Sequence, residues 1–318
     1  MVQIGYAISS EEHTPQDLVR HARQAEAAGF PFALISDHFH PWVDAQGQSP
    51  FVWSVLGAIA AGTERLRVGT GVTCPILRIH PAIIAQAAAT TAAMMPGRFF
   101  LGLGSGERLN EHVLGDAWPE PVVRLEMLQE AVEVIRTLWE GETASHYGEY
   151  YTVENARLYT LPDEPPPIMI AARGPEAARV AGELADGLIN SDPQAEPVET
   201  FEASGGKGKP KYGQLTVCWA ETEAAARKTA YRYWPNGGLK GPLSTELALP
   251  EHFQQAAQMV KEEDVAQSVV CGPDAQRHLA AIKEYVDAGY DHVYVHQVGP
   301  DQEGFFRFYE REVLPRFN

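Results

Sequence analysis

Cysteine is nearly missing from this sequence, and the three that occur stand far apart. Cys74, Cys218 and Cys271 form no CxxC pair, which argues against a zinc ribbon or a disulfide-framed scaffold and suits a reducing compartment. Basic residues are also scarce. The 25 lysines and arginines face 42 acids, for a net charge of −17, so a nucleic-acid backbone finds no basic surface and is excluded as a partner. A small polyanionic ligand stays open wherever cations concentrate locally. No run approaches the roughly 18 uninterrupted apolar residues of a membrane span, and no internal repeat is present. The opening MVQIGYAISSEE lacks the basic-then-apolar order of a signal peptide and reads as a first strand. The expected partner is a small molecule, and the expected compartment is the cytoplasm.

What is present is a regular alternation of short apolar strands with amphipathic helices. VQIGYA (2–7) precedes DLVRHARQAEAAGF, which ends at Gly29 as a helix C-cap should. FALIS (32–36), LRVGTGVT (66–73), FFLGLGS (99–105), IMIAA (168–172), GLIN (187–190), GQLTVCWA (213–220) and HVYVHQV (292–298) continue the series. Helices are expected around Phe51–Gly62, Pro81–Met95, Pro175–Ala185, 222–234 and 274–289, with VVRLEMLQEAVEVIRTLWEG showing the clearest helical spacing. Eight strands, most trailed by a helix, favour a parallel (β/α)8 TIM barrel over an open doubly wound sheet. Such barrels run past 250 residues as one unit, so residues 1–318 read as a single domain. Insertions interrupt it near 141–165, expected as a small β excursion, and near 191–211 and 235–272, which are rich in Gly, Pro and polar residues.

In a TIM barrel the site is built where strands end, and that rule yields a short list. Ser9, Ser10, Glu11 and Glu12 follow the first strand. Asp37, His38, His40 and Trp42 follow the second, GVTCP the third and GSGERLNE the fourth, while His296 and Gln297 close the last. ARGPEAARVAG has the plainest physics: the chain turns through Arg173-Gly174 into a helix with Pro175 at its first position, leaving free N–H groups beside a guanidinium. That is an anion site suited to a phosphate, although an unliganded βα turn can look the same. ISDHFHPW is harder to read. HFH has the spacing of metal-dependent barrel hydrolases, but the fifth and sixth strands end in AARGP and INSDP without histidine, so no ligand set closes and no metal is expected. As a non-metal site, Asp37 would bind a ligand, His38 exchange a proton and Trp42 wall the pocket. Two ordinary loop histidines are the alternative.

SDHFHPW, GTGVTCP, PAIIAQAAATTAAMMPGRFFLGLGSGERLNE and IMIAARGPEAARVAGELADG, in this order and spacing, resemble the bacterial luciferase-like superfamily of flavin and deazaflavin oxidoreductases. Within it, the sequence is most similar to the branch typified by F-420-dependent glucose-6-phosphate dehydrogenase. The resemblance covers roughly residues 2–190 and resumes from DHVYVHQV onward. It implies the TIM-barrel fold, coenzyme F-420 in the barrel mouth and hydride transfer between a substrate carbon and the deazaflavin. By the same resemblance Asp37 contacts the ring system and Cys74 belongs to the coenzyme-binding stretch around Gly71 and Val72, whose peptide bond is expected to be cis. Gly106, Glu107 and Asn110 line the coenzyme's other side, and Ala171, Ala172, Arg173 and Gly174 hold its phosphate. His38 is the expected general base, Trp42 positions the reacting oxygen, and Glu107 and Glu11 are the acid–base carboxylates. A homodimer is the family habit. FMN with oxygen is the alternative coenzyme, and a non-catalytic ligand-binding barrel the more distant alternative. The branch uses basic residues from its late insertions to hold the substrate phosphate. Here INSDPQAEP has no lysine, the later stretch offers only Lys240 and His252, and Ala266 and Gln267 stand at usually basic positions. Glucose 6-phosphate is therefore expected to be a poor substrate, and an uncharged alcohol, ketone or imine a better one.

Overall fold

A computed structural model describes residues 2–317 apart from Lys240, so the part of the substrate expectation that concerns Lys240 lies outside the described residues. The first half runs β1 (Gln3–Ile8), α1 (Pro15–Ala28), β2 (Phe32–Ile35), α2 (Val52–Gly62), β3 (Arg67–Thr70), α3 (Pro81–Met94), β4 (Phe99–Leu103), α4 (Arg108–Glu111) and α5 (Pro121–Trp139). A hairpin of β5 (Ala144–Tyr147) and β6 (Thr152–Ala156) follows, then β7 (Ile168–Ala171), α6 (Pro175–Leu184), β8 (Gly187–Asn190), α7 (Ala195–Phe201), β9 (Lys211–Cys218) and α8 (Glu223–Tyr233). The chain closes with α9 (Leu243–Glu246), α10 (Pro250–Ala257), α11 (Glu262–Ser268), β10 (Val270–Cys271), α12 (Ala275–Asp287), β11 (His292–Gln297) and α13 (Gln302–Phe308).

Eight strands, in the order β1-β2-β3-β4-β7-β8-β9-β11, close into a parallel barrel, because β8 also pairs with β9 and β11 with β1. The two-residue β10 only extends the edge of β9. All eight barrel strands fall where the apolar runs predict them. Phe32, Leu34, Phe100, Met169, Ile189, Tyr212 and Tyr294 pack together in one buried cluster. Gly69 makes room for it, since a Cβ there would collide with the Phe100 ring. A larger apolar cluster joins the strands to the surrounding helices.

Local signals set the helix ends. Thr14 accepts a hydrogen bond from the Asp17 N–H, Pro15 opens α1, and Gly29 ends it at φ 93° with its N–H returned to the Ala25 and Glu26 carbonyls. The 141–165 insertion is the expected β excursion, an antiparallel hairpin. The 235–272 segment is not loop throughout: α9, α10 and α11 occupy it, each too short to show a helical period in sequence. No helix among the described residues is long and apolar enough to cross a membrane.

Candidate active site

The C-terminal ends of all eight strands open into one cavity of about 610 Å³. Ala7, Leu34, Val72, Ala171 and Ile189 supply apolar walls, and Ser9, Glu11, His38, Trp42, Glu107, Arg173, Gln214 and His296 supply polar ones.

His38 is fixed from both sides. Its Nδ1 lies 3.1 Å from the His40 carbonyl oxygen, and a carbonyl only accepts, so Nδ1 carries that hydrogen. Nε2 is left for proton exchange and sits 3.3 Å from Glu11 Oε1. The other Glu11 oxygen accepts hydrogen bonds from Ser36 Oγ at 2.6 Å and Ser9 Oγ at 3.1 Å. Both side chains are buried, His38 at 9% exposure and Glu11 at 3%, and the Trp42 indole packs on the imidazole with ring centroids 4.9 Å apart. Glu107 lines another part of the wall, half-buried, and accepts from Asn110 Nδ2 at 3.3 Å. His38 and His40 diverge. His40 turns away to hold the Leu109 carbonyl through Nδ1, so HFH does not act as a two-histidine clamp.

Opposite this group, α6 begins at Gly174 with no side-chain cap on its first turn and with Pro175 at its first position. Its free N–H groups and the positive helix end meet Arg173, whose Nε donates to Ser191 Oγ at 3.2 Å and Nη1 to Ser244 Oγ at 3.3 Å. The Gly71–Val72 peptide bond is cis. A Cβ on Gly104 would lie 2.6 Å from Val72 Cγ2, so glycine at 104 is what lets the backbone close under that residue. An apolar surface leading to an uncapped helix end with a guanidinium fits a flat ring system carrying a phosphate.

Of the residues given a site role in the sequence, eleven line this cavity: Glu11, His38, Trp42, Gly71, Val72, Gly106, Glu107, Ala171, Ala172, Arg173 and Gly174. Asp37, Cys74 and Asn110 do not, and each for a visible reason. Asp37 Oδ1 pairs with Arg78 Nη2 at 2.8 Å and Oδ2 accepts from Thr73 Oγ1 at 2.7 Å, which commits both oxygens behind the wall. Cys74 sits under Gly106, whose Cβ would come within 2.5 Å of its Sγ. Burial, and then the nearby Glu111 carboxylate, push this thiol's pKa up. The Asn110 carbonyl oxygen takes the N–H groups of Phe39 and His40, so Asn110 holds the His38 loop and Glu107 in place without facing the cavity. The sequence list left Glu12 and His296 without a role and omitted Trp234. His296 and Trp234 line the cavity, and His296 Nε2 lies 2.7 Å from Glu12 Oε2.

Residues 1–292 match the family model described as luciferase-like monooxygenase. The chain belongs to that family. Among similar luciferase-like proteins, an F-420-dependent glucose-6-phosphate dehydrogenase of Microbacterium testaceum is 37% identical over 329 residues, covering 99% of this chain and 97% of the relative. One of the same name from Nakamurella multipartita is 37% identical, with 99% and 96% covered. An F-420-dependent secondary alcohol dehydrogenase, solved with an F-420–acetone adduct, superposes with a TM-score of 0.91 at 30% identity, covering 98% of each chain. A coenzyme F-420-dependent tetrahydromethanopterin reductase from Methanopyrus kandleri shares the fold, with a TM-score of 0.80 at 22% identity and 100% and 99% covered.

Proposed function

We propose that this luciferase-like protein is a coenzyme F-420-dependent oxidoreductase acting on a small uncharged alcohol or ketone. One observation carries the reading: the cavity has an anion cradle after β7 and a buried His–Glu pair after β1 and β2, on opposite sides of the eight-stranded ring. The names of the relatives support the coenzyme. When bound, the deazaflavin supplies a two-electron centre that accepts or gives a hydride.

The remaining steps belong to the chain. Arg173 and the α6 N–H groups would hold the coenzyme's phosphate. Val72, Leu34 and Ala171 would give its ring an apolar surface that keeps water out. His38 Nε2 takes the hydroxyl proton during oxidation and returns it during reduction, while Glu11 stabilises the imidazolium that forms. The Trp42 indole confines the reacting oxygen near His38, and Glu107 exchanges a proton from its own side of the cavity. FMN is the second reading, favoured by the family model's description as a monooxygenase. A barrel that only binds ligands is the remaining alternative, and hydride transfer by the F-420-loaded protein would exclude it. A cytoplasmic homodimer completes the proposal, supported by Phe51, Ile83 and Met94, which stand exposed on or beside α2 and α3.

The named activity of the curated relatives does not support excluding a sugar phosphate. The cavity's charge does. Arg173 is the one lysine or arginine lining it among the described residues, beside Glu11, Glu107 and Glu176, and it is assigned to the coenzyme. With no second lysine or arginine among the described lining residues, a phosphate dianion finds little there to offset its desolvation. With the F-420-loaded enzyme, kcat/KM for glucose 6-phosphate is expected to be no higher than for glucose. A preference for the phosphate of about 100-fold, the size of one or two charge-assisted hydrogen bonds, would overturn the uncharged-substrate reading.

A further inference from the structure

The loop after β1 carries two consecutive carboxylates, and the reading above uses only one of them. Glu11 reaches His38 on the β2 side, and Glu12 reaches His296 on the β11 side, β2 and β11 being the two neighbours of β1 in the barrel. Each imidazole carries a tryptophan: Trp42 on His38 at 4.9 Å, and Trp234 edge-on to His296 at 4.5 Å. The cavity wall therefore holds the same Glu–His–Trp grouping twice.

We propose that Glu12, His296 and Trp234 form a second substrate subsite, which binds a further hydroxyl of the substrate while His38 handles the reacting one. The inference rests on the oxidoreductase reading and narrows its substrate to a compound with a second oxygen within a few carbons of the oxidised carbon.

The chemistry of the pair supports this. The Glu12 and His296 side chains are 2% and 3% exposed. Burial alone would raise the Glu12 pKa, but the His296 hydrogen bond and charge, the His13 charge and the Gly299 N–H outweigh it and hold the carboxyl below its usual range. Glu12 is thus a carboxylate, and His296 Nε2 donates to it. That leaves His296 Nδ1, which has no partner among the described residues although it is shielded from water. A buried carboxylate–imidazole pair with an orphaned nitrogen is a poor structural device, since apolar residues of the same volume would pack as well or better. A ligand hydroxyl supplies the missing partner once the wall shifts enough to uncover Nδ1. The Trp234 face suits the carbon skeleton between two oxygens. Strands β2 and β11 stand two strand spacings apart, roughly 10 Å, which leaves a few-carbon molecule room to touch both imidazoles.

The test uses the F-420-loaded protein and three alcohols of equal carbon number: butan-2-ol, butane-2,3-diol and butane-1,3-diol. Dissociation constants are read from tryptophan fluorescence, so turnover is not required. The better diol is expected to bind about 10-fold more tightly than butan-2-ol, the worth of one hydrogen bond to a charged group. In His296→Leu the ratio is expected to fall to about 1, with butan-2-ol affinity kept within about 3-fold. His296→Gln, which keeps a side-chain amide near the same place, is expected to retain part of the preference. Diols that bind no better than butan-2-ol to the wild type, or a preference that survives His296→Leu, would overturn the subsite. Failure of the protein to bind F-420 at all would instead remove the reading beneath it. A flat diol ratio in a protein that does bind F-420 removes the subsite alone.

Discussion

His38→Ala is expected to lower turnover roughly 1,000-fold, the usual worth of a positioned general base, while F-420 affinity changes only a few-fold. The side chain stands at the cavity wall with Nδ1 tied to the His40 carbonyl and Nε2 beside Glu11, so truncation enlarges the cavity and leaves the core intact. Added imidazole should restore part of the rate, because the vacated space lies beside Glu11, which can orient it. A purely structural loss would not respond to imidazole. Turnover within about 3-fold of wild type would move the proton to another group, with Glu11, Glu107 and His296 the nearest titratable candidates lining the cavity.

Asp37→Ala is expected to act on stability, by about 3–5 kcal/mol, because it strips the closest partner from a buried cation. Asp37 and Arg78 side chains are 1% and 7% exposed and meet at 2.8 Å. Burial alone would lower the Arg78 pKa, and the Asp37 and Glu111 carboxylates outweigh it. Glu111 is the weaker partner, 3.5 Å from Arg78 Nε, and cannot replace Asp37. Thr73 Oγ1 would lose its acceptor as well. Asp37→Asn, which keeps an acceptor but no charge, should cost less. Chemical denaturation of the two variants checks this. A change below about 1 kcal/mol in Asp37→Ala, with F-420 affinity lost, would place the carboxylate on the coenzyme, as the family resemblance implies.

That disagreement marks where sequence reading reaches its limit. The barrel strands were readable because parallel strands covered on both faces become short apolar runs, as in FFLGL and GLIN. The strand-end rule then brought out the residues of the loop region. It could not say which way each points. At the end of β2, adjacent residues split: His38 faces the cavity, and Asp37 faces Arg78 behind it. Asn110 and Cys74 likewise stand one step off the lining and pack into the wall. The Glu12–His296 pair was hidden for another reason. Its members are 284 positions apart, and no local spacing connects a first loop to a last strand. Trp234 sits where α8 gives way to the 235–272 insertion, outside the strand–helix alternation that organised the list.

One titration tests the coenzyme choice directly. The apoprotein is titrated in parallel with F-420 and with FMN, and bound coenzyme is followed by fluorescence, with Arg173→Ala alongside. F-420 is expected to bind saturably, at least about 10-fold more tightly than FMN, and to weaken about 10-fold or more in Arg173→Ala, as loss of a charge-assisted phosphate contact requires. Tighter binding of FMN, or F-420 binding indifferent to Arg173, would contradict that choice.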